Sequence, residues 1–207
     1  MKKIILAGIF FVSTFIISCG SDDSTSDNTG ENSDSLAAKT EIDLTGLREF
    51  DMTPYDLNAV IYIPEKFYMT EEQEQKFVQP DIKHNDGEAL WVITIPGDKY
   101  FNLEIEDWGT MEQSITTEKA DHLDKANIYD FVYTEEGEDY MIFSRLLKSE
   151  NTTLSKEDLQ GMPNYHFYCV KFIDNSYVTF KTNPMDDYRL PSVKQMLNCA
   201  RGTKAIN

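Results

Sequence analysis

Residues 89–106 read Ala89-Leu90-Trp91-Val92-Ile93-Thr94-Ile95-Pro96-Gly97-Asp98-Lys99-Tyr100-Phe101-Asn102-Leu103-Glu104-Ile105-Glu106. Two runs rich in β-branched and aromatic residues flank a Pro-Gly dipeptide. Such runs suit a pleated, half-buried surface, and Pro-Gly marks a tight turn. In the second run Phe101, Leu103 and Ile105 alternate with Asn102, Glu104 and Glu106. Alternation with a period of two puts one set on a buried face and the other on a wet face of one strand. The segment therefore predicts a β-hairpin on a sheet with one packed and one polar side.

The same arrangement recurs on the C-terminal side. Residues 128–134 and 139–147 form a hairpin across Glu135-Glu136-Gly137-Glu138, and 165–173 with 176–182 form another across Asp174-Asn175. On the N-terminal side, residues 55–64 contain Val60-Ile61-Tyr62-Ile63 and end at Pro64, a first strand. Thr70-Glu71-Glu72-Gln73-Glu74 predicts a short helix through Phe77. Thr116 or Thr117 caps a helix running to about Ala126, with Glu118 near its positive end. From Pro191 onward Val193, Met196, Leu197 and Ala200 fall at helical spacing, an amphipathic helix that packs on the sheet. Residues 148–163 are a polar connection in which Ser155-Lys156-Glu157-Asp158 makes one helical turn. The expected fold class is α+β: an antiparallel sheet of six to seven strands built from hairpins, with a middle helix and a C-terminal helix packed on it.

Ahead of this domain the composition changes twice. Met1-Lys2-Lys3 is a positive start, and residues 4–17 are an almost unbroken apolar run. About fourteen residues at 1.5 Å each reach roughly 21 Å, short of a hydrocarbon core of about 30 Å, so the profile is that of an export leader. Residues 20–38 then consist mainly of Ser, Asp, Thr, Asn, Gly and Glu, the composition of a flexible tether. The predicted organisation is a leader over 1–18, an acidic tether over 19–43 and one globular domain over 44–207.

Ile16-Ile17-Ser18-Cys19 resembles the lipobox of bacterial lipoproteins. The resemblance implies lipidation of the Cys19 thiol, with Ile16, Ile17 and Ser18 recognised by the peptidase that cuts before it. Several acyl chains, such as palmitate, would make attachment effectively permanent, since each buried methylene contributes about 0.8 kcal/mol. Gly20-Ser21-Asp22-Asp23-Ser24 resembles the surface-export signal of Bacteroidota lipoproteins, which implies the outer membrane and the cell surface; a periplasm-facing domain is the alternative. Asp23-Ser24-Thr25 and Asp34-Ser35-Leu36 resemble sites of O-glycosylation in the same group. The element order over 55–207 resembles the PsbP-type α/β/α sandwich, a fold of binding and assembly proteins, and implies no particular chemistry.

The chain carries 36 acidic and 19 basic residues, a formal charge of −17. Loss of Lys2 and Lys3 with the leader takes it to −19, and seven acids against Lys39 in residues 19–45 leave −13 on residues 46–207. The domain itself is acidic, which disfavours nucleic acid and anionic headgroups as partners.

Motifs of catalysis are absent from the sequence. Its ten glycines form no phosphate loop or dinucleotide fingerprint, and no Gly-x-Ser-x-Gly occurs. His84, His122 and His166 show no metal-ligand spacing and read as unrelated surface or half-buried side chains, with no metal or other cofactor expected. No Asp-x-Asp-x-Asp-Gly calcium loop occurs either. After lipidation two cysteines remain, Cys169 in a strand and Cys199 in the last helix. They form either a disulfide or two separately buried thiols. Glu104 and Glu106 share a strand face about 7 Å apart, near Asp107 and Trp108, and this is the one carboxylate pair at glycosidase-like spacing singled out.

The functional expectation is a membrane-anchored, non-enzymatic binding or scaffold module of the outer envelope, meeting a protein or glycan through its sheet face or the 148–163 loop. The alternative is a glycan hydrolase using Glu104 and Glu106.

Overall fold

The structure, a computed structural model, describes residues 41–72, 74–85, 87–148 and 164–206. The leader, Cys19, its lipobox and the tether up to residue 40 lie outside the described residues. So does the connection over 149–163.

Seven antiparallel strands form the main sheet, in the order β5-β6-β7-β11-β10-β9-β8. These are β5 (Asp81–Asn85), β6 (Leu90–Ile95), β7 (Asp98–Asp107), β8 (Tyr129–Glu136), β9 (Tyr140–Leu147), β10 (Asn164–Ile173) and β11 (Ser176–Thr182). The three expected hairpins are all present and adjacent in the sheet: β6–β7, β8–β9 and β10–β11. Their turns follow local stereochemistry. Gly97 has φ of +80° behind Pro96, the arrangement of a type II turn. Asp174 and Asn175 both adopt left-handed φ, 48° and 64°, as a two-residue type I′ loop requires. Gly137 is needed for another reason: a Cβ there would lie 2.2 Å from the Tyr140 ring.

Helix α1 (Ile115–Asp124) and helix α2 (Leu190–Gly202) lie on opposite faces of this sheet. α2 packs across β10, β11 and β7, and alongside it sits a small sheet of β1 (Leu47–Asp51), β2 (Ala59–Pro64) and β12 (Lys204–Ala205) in the order β1-β2-β12. The main core fills this side. Ile61 and Ile63 of β2 meet Ile93, Leu103, Ile105, Phe167 and Phe180 of the main sheet, and Val193, Met196 and Leu197 of α2. Alternate residues of the same strands point the other way, and there α1 covers a smaller cluster of Met141, Phe143, Tyr168 and Val170 with Ile115.

Several expectations are corrected. Residues 70–77 are not a helix: β3 (Phe67–Met69) and β4 (Gln75–Phe77) form a separate two-stranded hairpin. Thr70–Glu74 offers no apolar stripe for a helix to bury. The Thr70 hydroxyl instead accepts from Glu74 N at 3.2 Å, and Phe67 packs on Phe77 with ring centroids 4.7 Å apart. The cap of α1 is Ser114, whose Oγ accepts from Thr117 N at 3.1 Å, rather than Thr116 or Thr117. Strands β1, β5 and β12 were not anticipated.

Cys169 and Cys199 both face the main core, fully buried, and both are free thiols. Burial raises both thiols well above their ordinary range, so they act as small apolar side chains.

Candidate functional site

α1 is an unusual helix for its position. Glu118, Asp121, His122 and Lys125 occupy i, i+3, i+4 and i+7, one continuous face. That face borders a cavity of about 190 Å³ between the helix and the sheet. Leu123, by contrast, is left 76% exposed on the far side of α1. The sheet supplies the floor and far wall: Phe131 from β8, Phe143 and Arg145 from β9, His166 and Tyr168 from β10, Lys181 and Thr182 from β11, with Pro184 beyond it.

The cavity brings together two histidines that are 44 positions apart in the chain, which corrects their reading as unrelated surface or half-buried residues. His122 is 4% exposed and His166 2% exposed. Their surroundings differ. The His122 ring stacks on Phe131, centroids 4.1 Å apart and planes within 10°. Its Nδ1 is 3.0 Å from the Tyr133 hydroxyl, and its Nε2 is 3.4 Å from the Glu118 carboxylate. Both its nitrogens are therefore engaged. Among the described residues His166 has a partner only at Nδ1, where the Thr182 hydroxyl lies 2.9 Å away, and its buried Nε2 has no hydrogen-bond partner. A buried polar atom without a partner costs free energy on the order of 1–3 kcal/mol, and such atoms concentrate where a protein has a use for them.

Burial, together with the positive charge of Arg145 and the neighbouring His122, pushes the His166 imidazole down to about 3. It is neutral at physiological pH and can donate or accept one hydrogen bond at Nε2. A group so far from neutral is a poor proton shuttle. The Tyr168 phenol is pushed well above its usual range, mainly by burial, and does not offer a nucleophile. Among the described residues no three His, Cys, Asp or Glu side chains converge on one point as a metal ion would need.

Charge is distributed unevenly around the cavity. Lys181 Nζ is 2.9 Å from a Glu106 carboxylate oxygen. Arg145 lies over the Tyr129 ring, 5.0 Å from its centroid, and no carboxylate meets it among the described residues. In a chain of such acidity, an arginine with no acid partner among the described residues, in the same lining as a histidine with an unsatisfied nitrogen, is the site's most distinctive feature.

Glu104 and Glu106 do share one strand face, as expected, yet neither Glu104, Glu106 nor Trp108 borders the cavity. Glu106 is tied to Lys181, and the Trp108 indole Nε1 donates to Thr179 Oγ1 at 3.0 Å. Burial raises the Glu104 carboxyl above its usual range, with Glu106 and Asp186 adding to the shift and Lys181 opposing it. His84 is remote from this site, stacked on Trp91 at the β5 edge with centroids 4.8 Å apart.

Two signals in the sequence pointed here. One is the polar i, i+3, i+4, i+7 stripe on a helix expected to cover a sheet. The other is a histidine embedded in the apolar strand Tyr165-His166-Phe167-Tyr168. Compared with known proteins, the chain matches no family model and no curated protein sequence.

Proposed function

We propose that this protein is a lipid-anchored lipoprotein of the outer envelope whose globular domain is a binding module, with the cavity under α1 as its binding site. The observation that carries the binding reading is the cavity itself, bounded by charged groups of the helix and sheet and lined by His166 and Arg145. Anchoring through Cys19 rests on the lipobox resemblance and on the acidic run that follows it. It is consistent with this picture that no helix of the described residues is long and apolar enough to cross a membrane.

The hydrolase alternative draws less support, because Glu104 and Glu106 lie outside the cavity. A fragment screen read by two-dimensional amide NMR tests the binding site. Hits should shift the signals of His122, His166 and Tyr168 together and leave His84 unmoved; hits that gather elsewhere contradict the assignment. Labelled palmitate should enter the intact protein and fail to enter Cys19→Ala, and label that persists in the variant removes the anchor.

A further inference from the structure

We infer that the β8 edge of the main sheet pairs antiparallel with the β8 edge of a second copy of this chain, about a two-fold axis at Val132. The pairing is independent of the cavity and of what occupies it.

The sheet has two edges, and the sequence protects them unequally. β5 is five residues long, follows Pro80 and carries Lys83, the short and charged form that discourages a further strand. β8 runs for eight residues, Tyr129-Asp130-Phe131-Val132-Tyr133-Thr134-Glu135-Glu136, rich in strand formers and free of lysine and proline. Among the described residues it pairs with β9 alone. Its outer backbone groups are set for a neighbour. Lys148 N donates to Ile128 O at 2.9 Å, which makes these two a hydrogen-bonded pair. Such pairs alternate along an antiparallel ladder, so Asp130 and Val132 turn their backbone groups to β9, whereas Phe131 and Tyr133 turn theirs outward.

Side chains select the register. Val132 is 54% exposed, and the bulge beyond Tyr133 ends the regular edge close behind it. With Val132 opposite the partner's Val132, two apolar side chains cover each other. Phe131 then exchanges backbone bonds with the partner's Tyr133, and Asp130 lies opposite the partner's Thr134. Centring the axis on Phe131 would set the Asp130 carboxylate against the partner's Val132. Centring it on Tyr133 would set Asp130 against the partner's Glu136, like charge on like.

Charge selects the direction. At the Tyr129 end of the β8–β9 hairpin, Arg145 and Lys148 outnumber Asp130. The turn end carries Glu135, Glu136, Glu138 and Asp139, and stays acidic although Lys194 meets Glu135 and Lys119 meets Glu136. Antiparallel self-pairing lays the acidic end of each copy beside the basic end of the other, as an isologous two-fold contact allows. Parallel pairing would oppose like ends.

The test uses the full chain in detergent on a Cys19→Ala background, with Cys169 and Cys199 left in place because both are fully buried. Opposed Val132 residues form a non-hydrogen-bonded pair with Cα atoms about 4.5 Å apart, within reach of a disulfide. Val132→Cys should therefore give a covalent dimer on mild oxidation, and Thr134→Cys, one alternate position along the same exposed face, should not. Val132→Asp, which sets two carboxylates opposite each other, should weaken association in sedimentation at least about tenfold. Both positions are exposed, and circular dichroism checks that the variants fold. A background chain that sediments as a single copy at every concentration overturns the inference. So does equal cross-linking of the two cysteine variants, which marks random collision, or association that Val132→Asp leaves unchanged, which assigns it to another surface. Val132→Cys trapped on a different protein and never on itself gives the edge to a foreign strand and overturns self-pairing.

Discussion

The two faces of the seven-stranded sheet are built from the same strands and do opposite things. On the α2 face Ile93, Leu103, Ile105, Phe167 and Phe180 are almost completely buried against a helix that also contributes an apolar stripe. On the α1 face the same strands present Glu104, Glu106, Lys181, His166 and Arg145, and the covering helix turns its polar side inward. A period-two strand makes this division possible, because adjacent residues serve different purposes with no cost to one another's packing. One face holds the fold, and the other borders the cavity under α1.

If that division is real, substitutions on the two faces should differ sharply in cost. The largest effect should come from Phe180→Ala on the α2 face, which empties a fully buried ring position and should lower stability by about 3–5 kcal/mol in denaturant unfolding. A loss under about 1 kcal/mol would break the comparison.

Next in size is a pH effect from the other face. His166 gains its proton near pH 6.5 in the unfolded chain and near 3 in the folded one. Stability is then complete above pH 6.5 and falls as pH drops from 6.5 toward 3, because the unfolded state binds the proton first. Between pH 7 and 5 the loss should be about 2 kcal/mol, at about 1.4 kcal/mol per pH unit once below 6.5. His166→Leu should flatten that slope, and an unchanged slope would assign it to other groups.

At pH 7 the same His166→Leu change should alter stability by less than about 1 kcal/mol. It removes an unsatisfied buried nitrogen and leaves the Thr182 hydroxyl without its partner, two contributions of opposite sign. Ligand binding should nonetheless weaken, which separates the cost to the fold from the cost to the site. The smallest effect should be Lys181→Met, which breaks a partly exposed pair with Glu106 and should cost at most about 0.5 kcal/mol.

The division of labour was partly legible in the sequence. Alternation in Phe101–Glu106 located the buried and wet faces of β7, and the Val193, Met196, Leu197, Ala200 stripe located the helix that covers the buried one. The edge elements were harder. β5 carries Asp81, Lys83 and Asn85 on its outward positions and pairs on one side alone, so its pattern is too polar to announce a strand. The Glu-rich turn between β3 and β4 mimicked a helix start, and the pairing of Phe67 with Phe77 that decides against it is set by packing rather than by local preference.

The site was less legible than the fold. His122 and His166 were each visible, but their meeting depends on α1 lying over β9 and β10, a non-local fact that no spacing encodes. Glu104 and Glu106 are neighbours in one strand, so their pairing is visible in the sequence, whereas the burial of His166 Nε2 without a partner is a product of packing. A histidine inside an apolar strand, facing a helix with a polar stripe, is the combination that carried the information.

The central claim is that the α1 face of the sheet holds a ligand in the cavity that His122 and His166 line. Long-range nitrogen–proton NMR of the imidazole rings, recorded with and without a saturating hit from the fragment screen, tests it most directly. The account predicts that the ring signals of His122 and His166 move on saturation while those of His84 stay in place. A ligand that binds and leaves His166 unmoved, or shifts His84 instead, would contradict it.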